Sequence, residues 1–260
     1  MRVQANGIGF NCQVDGPAGA PWLIFSNSLA TNLTMWDDQA AHFSKQFRVL
    51  RYDQRGHGRT DAPEGRYTFE ILIADVVALM DALDVRTAHF CGLSMGGATG
   101  MGLAQKHPER LDRVVLCDNG FRSTPATAQQ WEERIEVAKK GGMAALADST
   151  LARWFPPETL RANPPHVGKI RQMILTTPVN GFVGGSAALA DHDYRANAGT
   201  VKLPVLLISG EKDGTNAATM QEIRKEMIAG TRYVEIPGGG HISNMDQPAM
   251  FTRAVEAFLA

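Results

Sequence analysis

Ala88-His89-Phe90-Cys91-Gly92-Leu93-Ser94-Met95-Gly96-Gly97 is the stretch on which the fold turns. Its apolar run 88–91 reads as a short buried strand, and 98–107 after it reads as a helix. A strand that becomes a helix within one or two residues forces the turn residue into strained backbone geometry and leaves its side chain at the tip. Ser94 is that residue. Glycine at 92 and 96 answers a steric need, because a Cβ at either position would collide where helix and strand cross. The turn also places the Met95 N–H at a helix N-terminus, aimed at any oxyanion that forms beside Ser94. With 26 glycines in 260 residues, chance alone supplies a G-x-S-x-G pattern ~0.1 times, so the strand-turn-helix setting carries the reading.

Outward from this turn, apolar runs and helical spacings alternate. Asn6-Gly7 between 2–5 and 8–14 supplies the positive φ angles of a two-residue hairpin. Residues 21–25 and 47–53 read as strands, the first running into the loop 29–36 and the second broken by Gly56 and Gly58. Thr68 opens a helix whose apolar positions Ile71, Leu72, Val76, Leu79, Met80 and Leu83 share one face. Residues 111–118 contain the next strand. Strands separated by helices predict a mostly parallel sheet covered on both faces, with any site at the carboxyl ends of strands.

From about 120 to 198 the strand signal stops. Segments 126–140, 143–154, 166–175 and 179–189 read as helices separated by Gly141-Gly142, Pro156-Pro157, Pro164-Pro165 and Pro178. The expected organisation is α/β: a core of 1–119 and 199–260, with a helical lid of 120–198 inserted after the sixth strand. Strand and helix logic resumes at 204–210, then a helix over 217–228, a strand over 232–236 and a closing helix over 248–259.

Composition narrows the partners. At 44% hydrophobic, 20% charged and a formal net charge of −1, the chain offers no basic face for nucleic acid and no polybasic segment for a membrane. No run approaches ~20 apolar residues and no signal peptide is recognisable, so a cytoplasmic enzyme acting on a small molecule is expected. Cys12, Cys91 and Cys117 are odd in number and sit in apolar contexts, which predicts buried thiols without a metal or disulfide. No phosphate-cradling loop or metal-ligand spacing is present, so no cofactor is expected.

A serine hydroxyl needs a base within hydrogen-bond reach and an acid that fixes the tautomer of that base. On this fold the chain order is Ser, acid, His. Asp213 follows the strand 204–210, and His241 follows the strand 232–236 on a glycine-rich loop. Asp118, at the end of its own strand, competes with Asp213 for the role of acid. His57 reads as a residue that stabilises its own loop. The second oxyanion donor should come from the loop after 23–25, where Leu29 offers its backbone N–H beside that of Met95.

Phe25-Ser26-Asn27-Ser28-Leu29, Tyr52 to Pro63, 89–97, 109–117, Arg153-Trp154-Phe155 and His241-Ile242-Ser243-Asn244-Met245 together resemble the 3-oxoadipate enol-lactonases of the α/β-hydrolase superfamily. Within Phe25-Ser26-Asn27-Ser28-Leu29, relatives usually carry His-Gly. The resemblance covers nearly the whole chain and implies nucleophile Ser94, acid Asp213 and base His241. It also implies hydrolysis of an enol-lactone that bears a free carboxylate. For that carboxylate, Arg134 and Trp131, three apart on one helix, are candidate ligands, with Trp154 a second pocket residue. A broad esterase, a carbon-carbon bond hydrolase and a cofactor-free perhydrolase share the same machinery. A catalytically silent binding protein would not need Ser94, Asp213 and His241 together. Ser94 in place of an aspartate argues against dehalogenase or epoxide hydrolase chemistry.

Overall fold

The computed structural model describes residues 1–227 and 230–260. Eight strands, β1 (Arg2–Ala5), β2 (Ile8–Asp15), β3 (Trp22–Ser26), β4 (Arg48–Tyr52), β5 (Ala88–Leu93), β6 (Leu111–Cys117), β7 (Val205–Gly210) and β8 (Arg232–Ile236), form one sheet. Their order is β1-β2-β4-β3-β5-β6-β7-β8. The first two pairings, β1 with β2 and β2 with β4, are antiparallel, and the rest are parallel. Asn6 and Gly7 take φ of 43° and 77°, the two positive values that a tight hairpin between twisted strands demands. The central strands are continuous apolar runs because both of their faces are covered. Leu23, Ile24, Phe25, Phe90, Val114, Val115, Leu116 and Leu207 are completely buried.

The covering helices are α1 (Asp37–Phe43), α2 (Phe69–Ala82), α3 (Met95–Lys106), α4 (Pro125–Gly141), α5 (Ala144–Trp154), α6 (Pro157–Ala162), α7 (Pro165–Thr176), α8 (Val179–Ala190), α9 (Thr215–Glu226), α10 (Ser243–Asp246) and α11 (Pro248–Leu259). Thr68 caps α2, its side chain accepting the Ile71 N–H. Three helices exceed the sequence expectation. The loop 29–36 tightens into a 3-10 turn at Leu33–Trp36 and continues as α1, with Asp37 and Asp38 in its first turn. Pro157 was expected to separate helices, yet it starts α6, because proline at the first helical position lacks only a donor that would have no helical partner anyway. The short α10 falls between the glycine-rich loop and the closing helix, where the sequence pattern marks no element. The helix α3 begins at Met95, three residues earlier than 98, so the elbow itself is the helix start. The expectation of a helix over 217–228 is met by α9 up to Glu226, and its last position, Ile228, lies outside the described residues.

Five helices, α4 to α8, lie between β6 and β7. The two chain segments that enter and leave this insertion pair with each other: Arg122 bridges to Asp193, the Ser123 N–H donates to the His192 carbonyl at 2.7 Å, and the Tyr194 N–H donates to the Phe121 carbonyl at 3.2 Å. The insertion therefore stands on a paired stalk at the carboxyl end of β6. Among the described residues no single helix is long and apolar enough to cross a membrane. The three cysteines are free and buried.

Candidate active site

The site is built at the carboxyl ends of the parallel strands. Ser94 has φ 56° and ψ −113°, a left-handed conformation that costs a non-glycine residue of order 1–3 kcal/mol and persists only where its surroundings hold it. They do so from both sides. The Ser94 N–H donates to the Cys117 carbonyl at 2.8 Å, which ties the turn to β6, and its own carbonyl accepts from Ala98 at 2.9 Å in the first turn of α3. A Cβ on Gly92 would run into the Gly96 carbonyl, and one on Gly96 into the Ser26 and Asn27 carbonyls. Only glycine at both places lets α3 pass this close to β3 and β5.

The loops after β7 and β8 bring two further groups to Ser94. Its Oγ lies 2.9 Å from His241 Nε2, and His241 Nδ1 lies 2.9 Å from Asp213 Oδ2. A carboxylate only accepts, so Nδ1 carries the proton and Nε2 presents its lone pair to the serine hydroxyl. The His241 and Asp213 side chains are 9% and 5% exposed, dry enough for the pair to interact strongly while Ser94 stays reachable. The loop of His241 is held from the insertion. Its N–H donates to the Trp154 carbonyl at 2.8 Å, and the Trp154 indole stacks on the imidazole with centroids 5.8 Å apart and planes 29° apart. Asp246 accepts the Gly240 N–H at 2.9 Å and also receives the Thr159 hydroxyl at 3.3 Å.

Asp118, the competing acid, does not reach His241. It ends β6 with φ 48°, and its carboxyl accepts the Gly210 N–H at 2.8 Å and the Ser243 hydroxyl at 2.6 Å. Complete burial pushes this carboxyl well above the usual carboxylate range, and the neighbouring Asp213 charge pushes it further. The separation of roles follows from loop length: Asp213 stands three residues beyond β7 and reaches the imidazole, whereas Asp118 follows its strand directly and is taken up by the Gly210 N–H and the Ser243 hydroxyl.

Leu29 and Met95 meet under α8, since a Cβ on Gly185 would touch Leu29 Cδ1 at 2.7 Å and Met95 Sδ at 3.0 Å. Met95 is the first residue of α3, so its N–H is among those that have no acceptor within the helix. The loop that carries Leu29 is held by buried polar groups. Asn27 accepts the Gln54 N–H at 3.1 Å and donates to the Ser28 and Thr31 carbonyls, and Asp53 accepts the Leu33 N–H at 2.7 Å. His57 stays within its own loop, with Nδ1 donating to the Arg55 carbonyl at 2.9 Å; burial pulls its pKa down to about 4, so the ring is neutral.

The candidate substrate residues divide. Trp154 sits on His241. Trp131 and Arg134 instead join α5 and α8: the Arg134 guanidinium donates to Thr150 Oγ1 at 2.7 Å and lies 5.9 Å from the Trp131 ring and 6.0 Å from the Phe182 ring. Arg153 also lies over this cluster, 5.8 Å from the Trp131 ring. Among the described residues Arg134 has no carboxylate partner, and its Nε is buried without an acceptor. Burial and the Arg153 charge pull its pKa down to about 10. Asn216, which the sequence gave no reason to select, reaches His241 Nδ1 at 3.2 Å, and the Trp154 carbonyl was likewise invisible as a backbone group. No group of three or more His, Cys, Asp or Glu able to hold a metal occurs among the described residues.

Residues 21–248 match the model of the alpha/beta hydrolase fold family. The chain is 37% identical over 258 residues to 3-oxoadipate enol-lactonase 2 of Acinetobacter baylyi, covering 99% of this chain and 95% of the relative. It is 33% identical to 3-oxoadipate enol-lactonase 1 of the same organism, covering 100% and 96%. The crystal structure of the enol-lactonase from Burkholderia xenovorans LB400 is similar with a TM-score of 0.95 and 41% identity, covering 100% of this chain and 99% of that one.

Proposed function

The chain belongs to the alpha/beta hydrolase fold family and, within it, to the 3-oxoadipate enol-lactonases, and we propose that it opens its lactone through Ser94, His241 and Asp213. It is a carboxylic ester hydrolase whose net reaction adds water to 3-oxoadipate enol-lactone and gives 3-oxoadipate. The observation that carries the residue assignment is the unbroken chain from Ser94 Oγ through both nitrogens of His241 to Asp213 at a strained strand-helix turn.

His241 takes the Ser94 proton as Oγ attacks the lactone carbonyl, and Asp213 steadies the imidazolium that forms. The N–H groups of Leu29 and Met95 hold the tetrahedral oxyanion. Its collapse breaks the ring C–O bond, and the leaving oxygen takes the proton from His241 to become an enol, which tautomerises to the ketone. A water that gives a proton to His241 then attacks the acyl group, and release of product returns that proton to Ser94.

The helices between β6 and β7 act as the lid. Gly185 lies over Leu29 and Met95, and Trp154 closes on His241. Arg134 binds the free carboxylate of the substrate. Supporting this is the cost of its present position: a half-buried cation next to Arg153 that has no anion beside it among the described residues gains most from an arriving carboxylate. A fluorophosphonate probe tests the nucleophile. A single adduct on a peptide containing Ser94, absent from His241→Ala, is the expected result; labelling at another serine would refute the assignment.

A further inference from the structure

Asp118 is unexplained by the chemistry above. A completely buried carboxyl with no cation beside it is costly, and here it stands next to a second one, that of Asp213. Its two oxygens are not idle. One accepts the N–H of Gly210, at the start of the loop that carries Asp213; the other meets the hydroxyl of Ser243, two residues past His241. The strand-end residue itself is wound to φ 48°, a conformation that Asp and Asn tolerate better than other side chains. A single side chain thus spans β6, the acid loop and the base loop. Two adjacent carboxyls in a dry site cannot both ionise cheaply, so one proton remains with the pair. Asp213 accepts the imidazole N–H, and complete burial keeps the shared proton on Asp118.

We propose that Asp118 is a positioning residue for the reacting set: a proton-bearing carboxyl that braces the Asp213 loop against the His241 loop and donates its hydrogen to Asp213. This rests on the reading of Ser94, His241 and Asp213 as the reacting groups. Through that hydrogen bond Asp118 draws charge from Asp213 and moderates the basicity of His241. The groups facing this network are Asp213 and Asn216 after β7, Ser243 and His241 after β8, Ser94 after β5 and the Trp154 ring from the insertion. Cys117, the residue before Asp118, is buried, and its thiol is held well above its usual pKa, so it stays neutral. Among the described residues no cation faces Asp118.

The test is the pH profile of kcat/KM for wild type, Asp118→Asn and Asp118→Gly, with Ser94→Ala as the blank. Asparagine keeps an oxygen for the Gly210 N–H and an N–H donor for Asp213, and it tolerates the left-handed backbone. It should lose at most about threefold in kcat and leave the acid limb within about 0.3 pH units of wild type. Glycine accepts the same backbone but removes brace and donor. Its kcat should fall on the order of 10²-fold with KM nearly constant, and its acid limb should move up by about half to one unit, because the Asp213 carboxylate then has no second donor and holds the imidazolium more strongly. A merely structural role predicts no shift of the limb. If Asp118→Asn moves the acid limb down by a unit or more, Asp118 is ionised and the proposal fails. A glycine variant with the wild-type profile also refutes it. Should the glycine variant not fold, the asparagine profile alone decides. Activity surviving in Ser94→Ala would instead overturn the reading of the reacting set, a separate failure.

Discussion

Replacing Arg134 by methionine should weaken the enzyme toward its anionic substrate while sparing neutral esters. Methionine keeps the length of the side chain and its packing near Trp131 and Phe182 but deletes the charge and the bond to Thr150. In the free protein burial and the Arg153 charge pull the Arg134 pKa from its ordinary value down to about 10, so the folded state holds this proton less firmly than the unfolded chain. Stability therefore rises with pH only between those two values, and at neutral pH the full cost of the buried cation is present. Discounted for its partial exposure, that cost is on the order of 1–3 kcal/mol. A bound carboxylate offsets that cost, and its charge-assisted hydrogen bond leaves a net gain of about 1.5–3 kcal/mol. Arg134→Met should accordingly raise KM for 3-oxoadipate enol-lactone by roughly 10- to 150-fold with kcat little changed, because a carboxylate remote from the scissile bond is bound alike in ground and transition states. KM for a neutral aryl acetate should move less than about threefold, and Tm should hold or rise by a few degrees. Steady-state kinetics on both substrates, with a melting curve, read all three quantities. Equal KM changes for the two substrates, or a fall in Tm with no loss of lactone affinity, would refute the assignment of Arg134 to the carboxylate.

Asp213→Asn should lower kcat by about 10⁴-fold, since the amide favours the wrong tautomer of His241; a smaller loss than in Asp118→Asn would exchange the roles of the two residues. Gly96→Ala forces a Cβ into the backbone carbonyls of Ser26 and Asn27 and should cost at least about 3 kcal/mol, seen as a reduced denaturant midpoint or as insoluble protein; a variant of wild-type stability would mean that α3 and β3 are less tightly apposed than described. His57 is neutral and fully buried with its pKa pulled down to about 4, so its contribution is complete above pH 6.5 and is lost as pH falls toward 4, up to about 3 kcal/mol. Unfolding measured across that window should show a shallower pH dependence in His57→Gln; identical slopes would count against a buried neutral imidazole.

Much of this was legible because it is local. The strand-turn-helix around Ser94 announces itself by glycines at 92 and 96 whose steric reason is visible in the motif, and the Asn6-Gly7 hairpin and the Thr68 cap are set by neighbours in sequence. The loops of Asp213 and His241 could be placed at strand ends for the same reason. What was not legible is tertiary. Asp118 and Asp213 both follow strands, and only the loop paths decide which reaches the imidazole and which binds the Gly210 N–H and the Ser243 hydroxyl. The hold of the insertion on His241 runs through the Trp154 carbonyl, a group that every residue possesses and no sequence pattern marks. Arg134 and Trp131 share a helix face as their spacing implies, yet their partners Thr150, Arg153 and Phe182 come from α5 and α8 and could not be read from α4 alone. Pro157 shows how punctuation misleads, since a proline that reads as a break between helices opens a helix of its own.

The most direct measurement is kcat/KM for 3-oxoadipate enol-lactone beside that for a neutral aryl acetate, with Ser94→Ala as the blank. A strong preference for the lactone, with both activities lost in the blank, is the expected result. A preference for the aryl ester would contradict the substrate, and lactone hydrolysis that survives in Ser94→Ala would contradict the nucleophile.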